Sequence, residues 1–396
     1  MTLNDAYKIC CEKTKLHMKK NAGLLIAPTE SFTADYYDDA KKCDFAGNRW
    51  VWLNSMITGM VSIYAQTEND LDAIKSNNEF KKDYHDKVFV LYTQTMHDIG
   101  FLYIPYSVHM YQLTGDVSHR DTALKAADEL AKRFNPRGRF IEAWDDMNME
   151  KRECRMIVDS SMNVPLLFWA WQETGHYFYR DIADCHLETI IKTLVRDDYS
   201  VAHAWFFDSA TGEPTLEANS CGFANGSFWA RGTAWLVFGL AMAYSYTKNE
   251  YYLEVATKVG EKYLDSLAES PVPVWDFRLP EDKPAKICSN MRGDVLTWDE
   301  SDPKNMIYNV DTSAAAIMAC GFELINSFKQ NERFEKYVDD ALAVLSNEYL
   351  NTDTTKTALL RASNGRNGYT IYGDYYYMLA LSVKLYNIKS PWGSIK

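Results

Sequence analysis

The chain has 396 residues, 47% of them hydrophobic, and a formal net charge of −12. That charge argues against nucleic acid or an anionic membrane as the main partner, although one arginine in a cleft still governs the local field for a small anion. No apolar run approaches the ~18 residues of a membrane span, and the charged start MTLNDAYKICCEKTKLHMKKN has no apolar core for a secretory signal.

Along the chain the strand signal is poor and the helix signal strong. A short turn recurs: weakly at Thr67-Glu68-Asn69, then at Thr114-Gly115-Asp116, Thr174-Gly175-His176 and Thr247-Lys248-Asn249. An apolar helix precedes each turn, and an amphipathic one follows, as in Asp121–Arg133 and Tyr251–Leu264. A later unit turns near Gln330-Asn331-Glu332, and a last apolar helix begins near Tyr372. Gly115 to Gly175 is 60 residues, too long for tetratricopeptide-like repeats of about 34. Six apolar helices, five with a polar partner, predict an all-α fold closed as an (α/α)6 barrel, with the apolar helices inside. No linker interrupts residues 1–396, which read as a single domain.

The repeat also predicts a site. Asp98 and Arg231 lie 17 residues before Gly115 and Lys248, and Asp159 and Trp52 lie 16 before Gly175 and Glu68. Spacings within one residue of each other put two carboxylates, a guanidinium and an indole at a similar height, near the N-terminal mouth of the inner helices. An Asp at a helix start is ordinarily a cap; four such residues at one height suit a binding cavity better. Paired carboxylates across a sugar-sized gap suit glycoside chemistry, in which one donates a proton and the other stabilises charge or activates water. A neighbouring carboxylate is expected to raise the pKa of the acid. The abundance of Trp and Tyr suits stacking on pyranose faces. No HExxH, P-loop, GxSxG or dinucleotide fingerprint is present. The histidines are scattered, so no metal is expected.

At these residues the chain resembles the unsaturated glucuronyl hydrolases of glycoside hydrolase family 88. The matching stretches are His97-Asp98-Ile99-Gly100-Phe101, Ile157-Val158-Asp159 with Met162-Asn163-Val164-Pro165, Trp229-Ala230-Arg231-Gly232 with Trp235, Trp275-Asp276, Asp311-Thr312-Ser313, and Tyr372-Gly373-Asp374. The resemblance implies an (α/α)6 barrel and a cofactor-free reaction on a small unsaturated oligosaccharide. The C4=C5 vinyl ether of a terminal uronic acid is hydrated, and the product opens to expel the remaining sugar. It implies Asp159 as proton donor and Asp98 as its partner, holding sugar hydroxyls and keeping Asp159 protonated. Arg231, with His203, is the expected partner of the substrate carboxylate. Trp52, Trp144 and Trp235 would shape and stack the sugar subsite, and His97 adjoins Asp98 as a further contact.

The chain also departs from the family pattern. Cys221-Gly222-Phe223-Ala224-Asn225 stands where a glutamine is usual, and Arg231-Gly232-Thr233 replaces Arg-Gly-Gln. The stretch 278–309 is longer than usual and the loop 363–370 shorter. The alternatives are an unsaturated rhamnogalacturonyl hydrolase, a sugar epimerase or isomerase on the same barrel, and a non-catalytic glycan-binding protein. The eight cysteines (10, 11, 43, 154, 185, 221, 288, 320) form no CxxC pair; they read as reduced thiols in a cytoplasmic protein.

Overall fold

The computed structural model describes residues 1–21, 30–39, 52–90, 96–145, 147, 152–280, 288–289, 295–296, 301 and 309–393. The recurring turn has a local cause. Gly115 (φ 69°), Gly175 (φ 74°) and Lys248 (φ 57°) are left-handed caps whose N–H returns to the carbonyl four residues back. Just before each cap, the hydroxyl of Thr114, Thr174 or Thr247 bonds the carbonyl of Met110, Ala170 or Ala243 and accepts the N–H two residues on. The threonine thus closes one helix and orients the start of the next. In the first unit the left-handed cap is Asn69 (φ 53°), one residue beyond the Glu68 expected from sequence. Measured from Asn69, Trp52 lies 17 residues back, the same spacing as Asp98 and Arg231.

Six inner helices follow: Asn54–Glu68; Ile99–Tyr103 continued through a π turn, Ile104–Val108, into His109–Thr114; Pro165–Thr174; Ala230–Thr247; Thr312–Phe328; and Ile371–Tyr386. Each packs on the next and the last packs on the first, closing the barrel. Pro105, which lacks an N–H, lies in the π turn. The outer layer consists of Leu71–Asn78 with Lys81–Phe89, then Val117–Ala131, Tyr177–Leu194, Glu250–Asp265 and Glu332–Val344. Asp70, Asp116, Asn249 and Asn331 cap four of these through their side chains.

The sixth outer helix comes from the other end of the chain. Leu3–Lys20, capped by Thr2, packs on both the first and the last inner helix. Its apolar stripe of Ala6, Tyr7, Cys10 and Cys11 is buried. Among the described residues no helix is long and apolar enough to cross a membrane.

Short strands cover the N-terminal mouth. Arg155–Ile157 pairs antiparallel with Ala204–Phe207, which pairs with Pro214–Ala218. At the opposite end the C-terminal segment turns under the barrel. There Trp392 is fully buried against Phe101, Phe238 and Tyr376, and its indole N–H donates to the Tyr375 hydroxyl at 2.8 Å.

Candidate active site

Strand pairing, more than helix register, brings the acidic pair to the mouth. Ile157 lies opposite Ala204, and the Val158 N–H donates to the His203 carbonyl at 2.9 Å. That register sets Asp159, in the 3-10 turn Val158–Met162, beside the His203 ring, with 3.7 Å between His203 Nε2 and Asp159 Oδ2. His97 donates its N–H to the Ala143 carbonyl, and the Ala143 N–H donates to the Arg155 carbonyl. The segment carrying Asp98 is thereby tied to the same sheet.

Asp98, the cap residue of its helix, makes no side-chain cap hydrogen bond, and Asp159 lies inside its 3-10 turn, behind the cap residue Ile157. The contrast is Asp311, whose Oδ1 accepts the N–H groups of Ser313 and Ala314. Asn163 joins the two acidic segments. Its Nδ2 lies 3.5 Å from both the Asp98 carboxylate and the Asp159 carbonyl, and its Oδ1 accepts the Phe101 N–H at 2.9 Å.

Burial pushes the Asp159 carboxyl up to about 6, against the opposing pull of the Arg231 guanidinium. Its Oδ2 is buried with no hydrogen-bond partner among the described residues, while the side chain as a whole keeps 21% of its surface. The sequence expectation was that Asp98 raises the acid. The leading cause is desolvation instead.

His203 accepts the Ser220 N–H at Nδ1 (3.1 Å), so the ring proton sits on Nε2 and faces Asp159. Burial lowers the His203 pKa to about 3. It is therefore a neutral partner beside Asp159, with an N–H to donate and no charge to offer a substrate carboxylate. His97 is fully buried, with Nε2 3.4 Å from Asp98 Oδ1, and burial holds it neutral as well.

Arg231, the second residue of its inner helix, is clamped. One nitrogen, Nη1, donates to Asp311 Oδ2 at 2.7 Å and to Asn364 Oδ1 at 2.8 Å. Its guanidinium lies over the rings of Trp229 (4.5 Å) and Tyr372 (5.1 Å). Trp52 stacks on the other neighbour of that group, Tyr372, at 5.6 Å. The loop 363–370 serves this clamp, since Asn364 (φ 61°) sits in it and its N–H donates to Asp311.

A model of the family described as Glycosyl Hydrolase Family 88 matches residues 28–274. The chain is 31% identical over 344 residues to the unsaturated chondroitin disaccharide hydrolase of Streptococcus pneumoniae, across 83% of this chain and 81% of that protein. It is 32% identical over 298 residues to the unsaturated glucuronyl hydrolase of Bacillus sp. strain GL1, across 72% and 73%. The crystal structure of the latter superposes with a TM-score of 0.85 at 26% identity, covering all of both chains. The chain belongs to glycoside hydrolase family 88.

As a family 88 enzyme it is a glycosidase on the expected (α/α)6 barrel, which favours the hydrolase over the epimerase and binding-protein alternatives. Of the sequence-chosen aromatics, one takes another role and a second is partly covered. Trp235 is 1% exposed and packs edge-on against Phe101 and Tyr376; it is core, with no ring face left for a sugar. Trp144 lies under Arg155, whose guanidinium is 4.0 Å from its ring, so one face is taken. Sequence reasoning did not place Asn163, Asp311, Asn364 or Tyr372 in the site. Three of the four stand beside a quoted motif residue or within one, and that adjacency was the available signal. The Cys221 segment is braced: the Asn219 side chain bonds Gly222 twice, and the Phe223 N–H donates to buried Asp276 at 2.7 Å. Most of the long stretch 278–309 lies outside the described residues.

Proposed function

We propose that this enzyme removes a 4,5-unsaturated uronic acid from the non-reducing end of lyase-generated oligosaccharides by hydrating its C4=C5 vinyl ether. Asp159 carries the reading: a carboxyl raised by burial to about 6, with an unpartnered oxygen beside a neutral imidazole N–H. Such a group is protonated in part near neutrality and can both give and take a proton.

Protonation of C4 by Asp159 leaves positive charge at C5, shared with the ring oxygen. Water adds at C5 and returns a proton to the Asp159 carboxylate. The hemiketal opens to a C5 ketone, and the freed C1 hemiacetal expels the remaining sugar. Asp98, 3.5 Å from Asn163 Nδ2, is the candidate for sugar hydroxyls. Arg231 is the candidate for the substrate carboxylate, and Trp52 for the sugar face. No step requires a metal or organic cofactor.

The named relatives favour a glycosaminoglycan-derived disaccharide over a pectin fragment. A cytoplasmic location accords with the free thiols of Cys10, Cys11, Cys154, Cys185 and Cys320. The test is the ultraviolet absorbance of the conjugated double bond on a panel of lyase-generated disaccharides. Wild type should bleach it and Asp159→Asn should not. A panel left unbleached by wild type would reject the reading.

A further inference from the structure

The end of the barrel opposite the acidic pair holds a second, unassigned cavity of about 260 Å³. It lies between the last two inner helices, Thr312–Phe328 and Ile371–Tyr386, and the C-terminal segment that turns under them. Cys320, Leu324 and Ser327 line it from one helix, and Leu379 and Val383 from the other. Among the described residues that line it, the one carboxylate is Glu323.

Glu323 is anomalous there. Both of its carboxylate oxygens are buried and have no hydrogen-bond partner among the described residues. The nearby cation Lys384 is already paired with Asp339 at 2.5 Å. Lys389, on the cavity rim, is exposed and makes no ion pair with Glu323 among the described residues. Leaving a carboxyl in an apolar wall without a donor is unfavourable, because the group gives up water and gains no hydrogen bond in return. Burial drives Glu323 far above the usual carboxylate range, which favours its neutral form wherever no cation pairs with it.

We propose that this cavity is a binding site for a small organic amine, whose ammonium pairs with Glu323 while its apolar body fills the space between Leu324, Leu379 and Val383. Two acceptor oxygens in an apolar wall call for a donor, and a cation supplies charge as well as hydrogen bonds. The volume lies below the roughly 300–1,000 Å³ of pockets for drug-sized ligands, so a single ring or short chain is the fitting size. The site is separate from the catalytic mouth and does not depend on the activity assigned there.

The test is calorimetric titration of the full chain with phenethylamine, using phenethyl alcohol and hydrocinnamate as matched neutral and anionic probes. The amine should bind at least tenfold more tightly than the alcohol, and the anion not at all. Binding discharges the proton from Glu323, so affinity should rise by up to about tenfold per pH unit while that acid remains protonated. Glu323→Leu should abolish the preference for the amine. Ser327→Trp, at an exposed position on the rim, should block binding and leave turnover intact even if the Glu323 variant folds poorly. Asp159→Asn should bind the amine as wild type does, which separates this site from the acidic mouth. Equal affinity for amine and alcohol, or amine binding that survives Ser327→Trp, would overturn the proposal.

Discussion

Asp159 sits where function and stability oppose each other. Its folded pKa of about 6 lies above the ordinary aspartate value of 3.8, so protonation favours the native state. The stabilisation associated with this group is complete below about pH 4 and is lost as pH rises through about 6. Two pKa units correspond to roughly 3 kcal/mol, an upper figure because part of the side chain meets solvent. Asp159→Asn should therefore abolish turnover and raise the melting temperature at pH 8 by several degrees, with little change at pH 4. Equal melting temperatures at both pH values would remove burial as the cause of the shift. In wild type, kcat/KM should fall as pH rises through the Asp159 pKa, since the proton donor is lost. Arg231 offers a complementary test. Its Nη1 is spent on Asp311 and Asn364, so Arg231→Lys gives up the fork that could serve clamp and substrate together. We expect KM for an unsaturated disaccharide to rise about tenfold or more, the worth of one charged hydrogen bond, with a smaller change in kcat.

At the scale of elements, the site depends on how closely two segments approach. A Cβ on Gly100 would come within 2.4 Å of Asn163 Cα and 2.5 Å of its carbonyl oxygen. No side-chain rotation relieves a clash with backbone, so Gly100→Ala must separate the helix after Asp98 from the turn after Asp159. The expected cost is about 1–3 kcal/mol of stability and, for a displacement near 1 Å, about a hundredfold in kcat. Urea unfolding together with steady-state kinetics checks both; wild-type kcat in Gly100→Ala would mean that the acidic pair tolerates the shift. Elements of this kind were legible in the sequence where a local cause wrote them. The turns at Gly115, Gly175 and Lys248 could be read because the left-handed cap and the threonine hydroxyl recur in all three. Trp235 was misplaced because an inner helix is apolar on nearly all sides. Its i, i+4 relation to Arg231 therefore does not tell the mouth from the core. The pairing of Ile157 with Ala204 was not legible, since strands of three and four residues leave almost no periodicity, and with it went the role of His203.

Closure of the whole molecule depends on two segments that lie outside the repeat. The N-terminal helix Leu3–Lys20 was read only for its lack of a secretory signal, because its charged face lowers its mean hydropathy and it precedes the first turn. It nonetheless completes the outer ring. Buried Lys13 ties it down by donating to the carbonyls of Asp353, Lys356 and Ala358 at 2.8–2.9 Å. Trp392, at the other terminus, fills the base where the inner helices converge. It touches Phe101, which lies against Trp52 at 4.8 Å, so the plug belongs to the aromatic core that reaches up to the candidate site. Trp392→Ala would remove a fully buried indole and strip the Tyr375 hydroxyl of its donor. Cavity formation at such a site costs about 3–5 kcal/mol, and the orphaned hydroxyl adds to it. Trp392→Phe keeps most of the volume but loses the hydrogen bond, so it should cost distinctly less. Equilibrium urea unfolding of the two variants separates packing from hydrogen bonding. If both unfold at the wild-type midpoint, the segment is an ornament on a barrel that closes without it. If Trp392→Ala alone collapses, the base is held by volume, and the C-terminal segment is as much a part of the barrel as any of its helices.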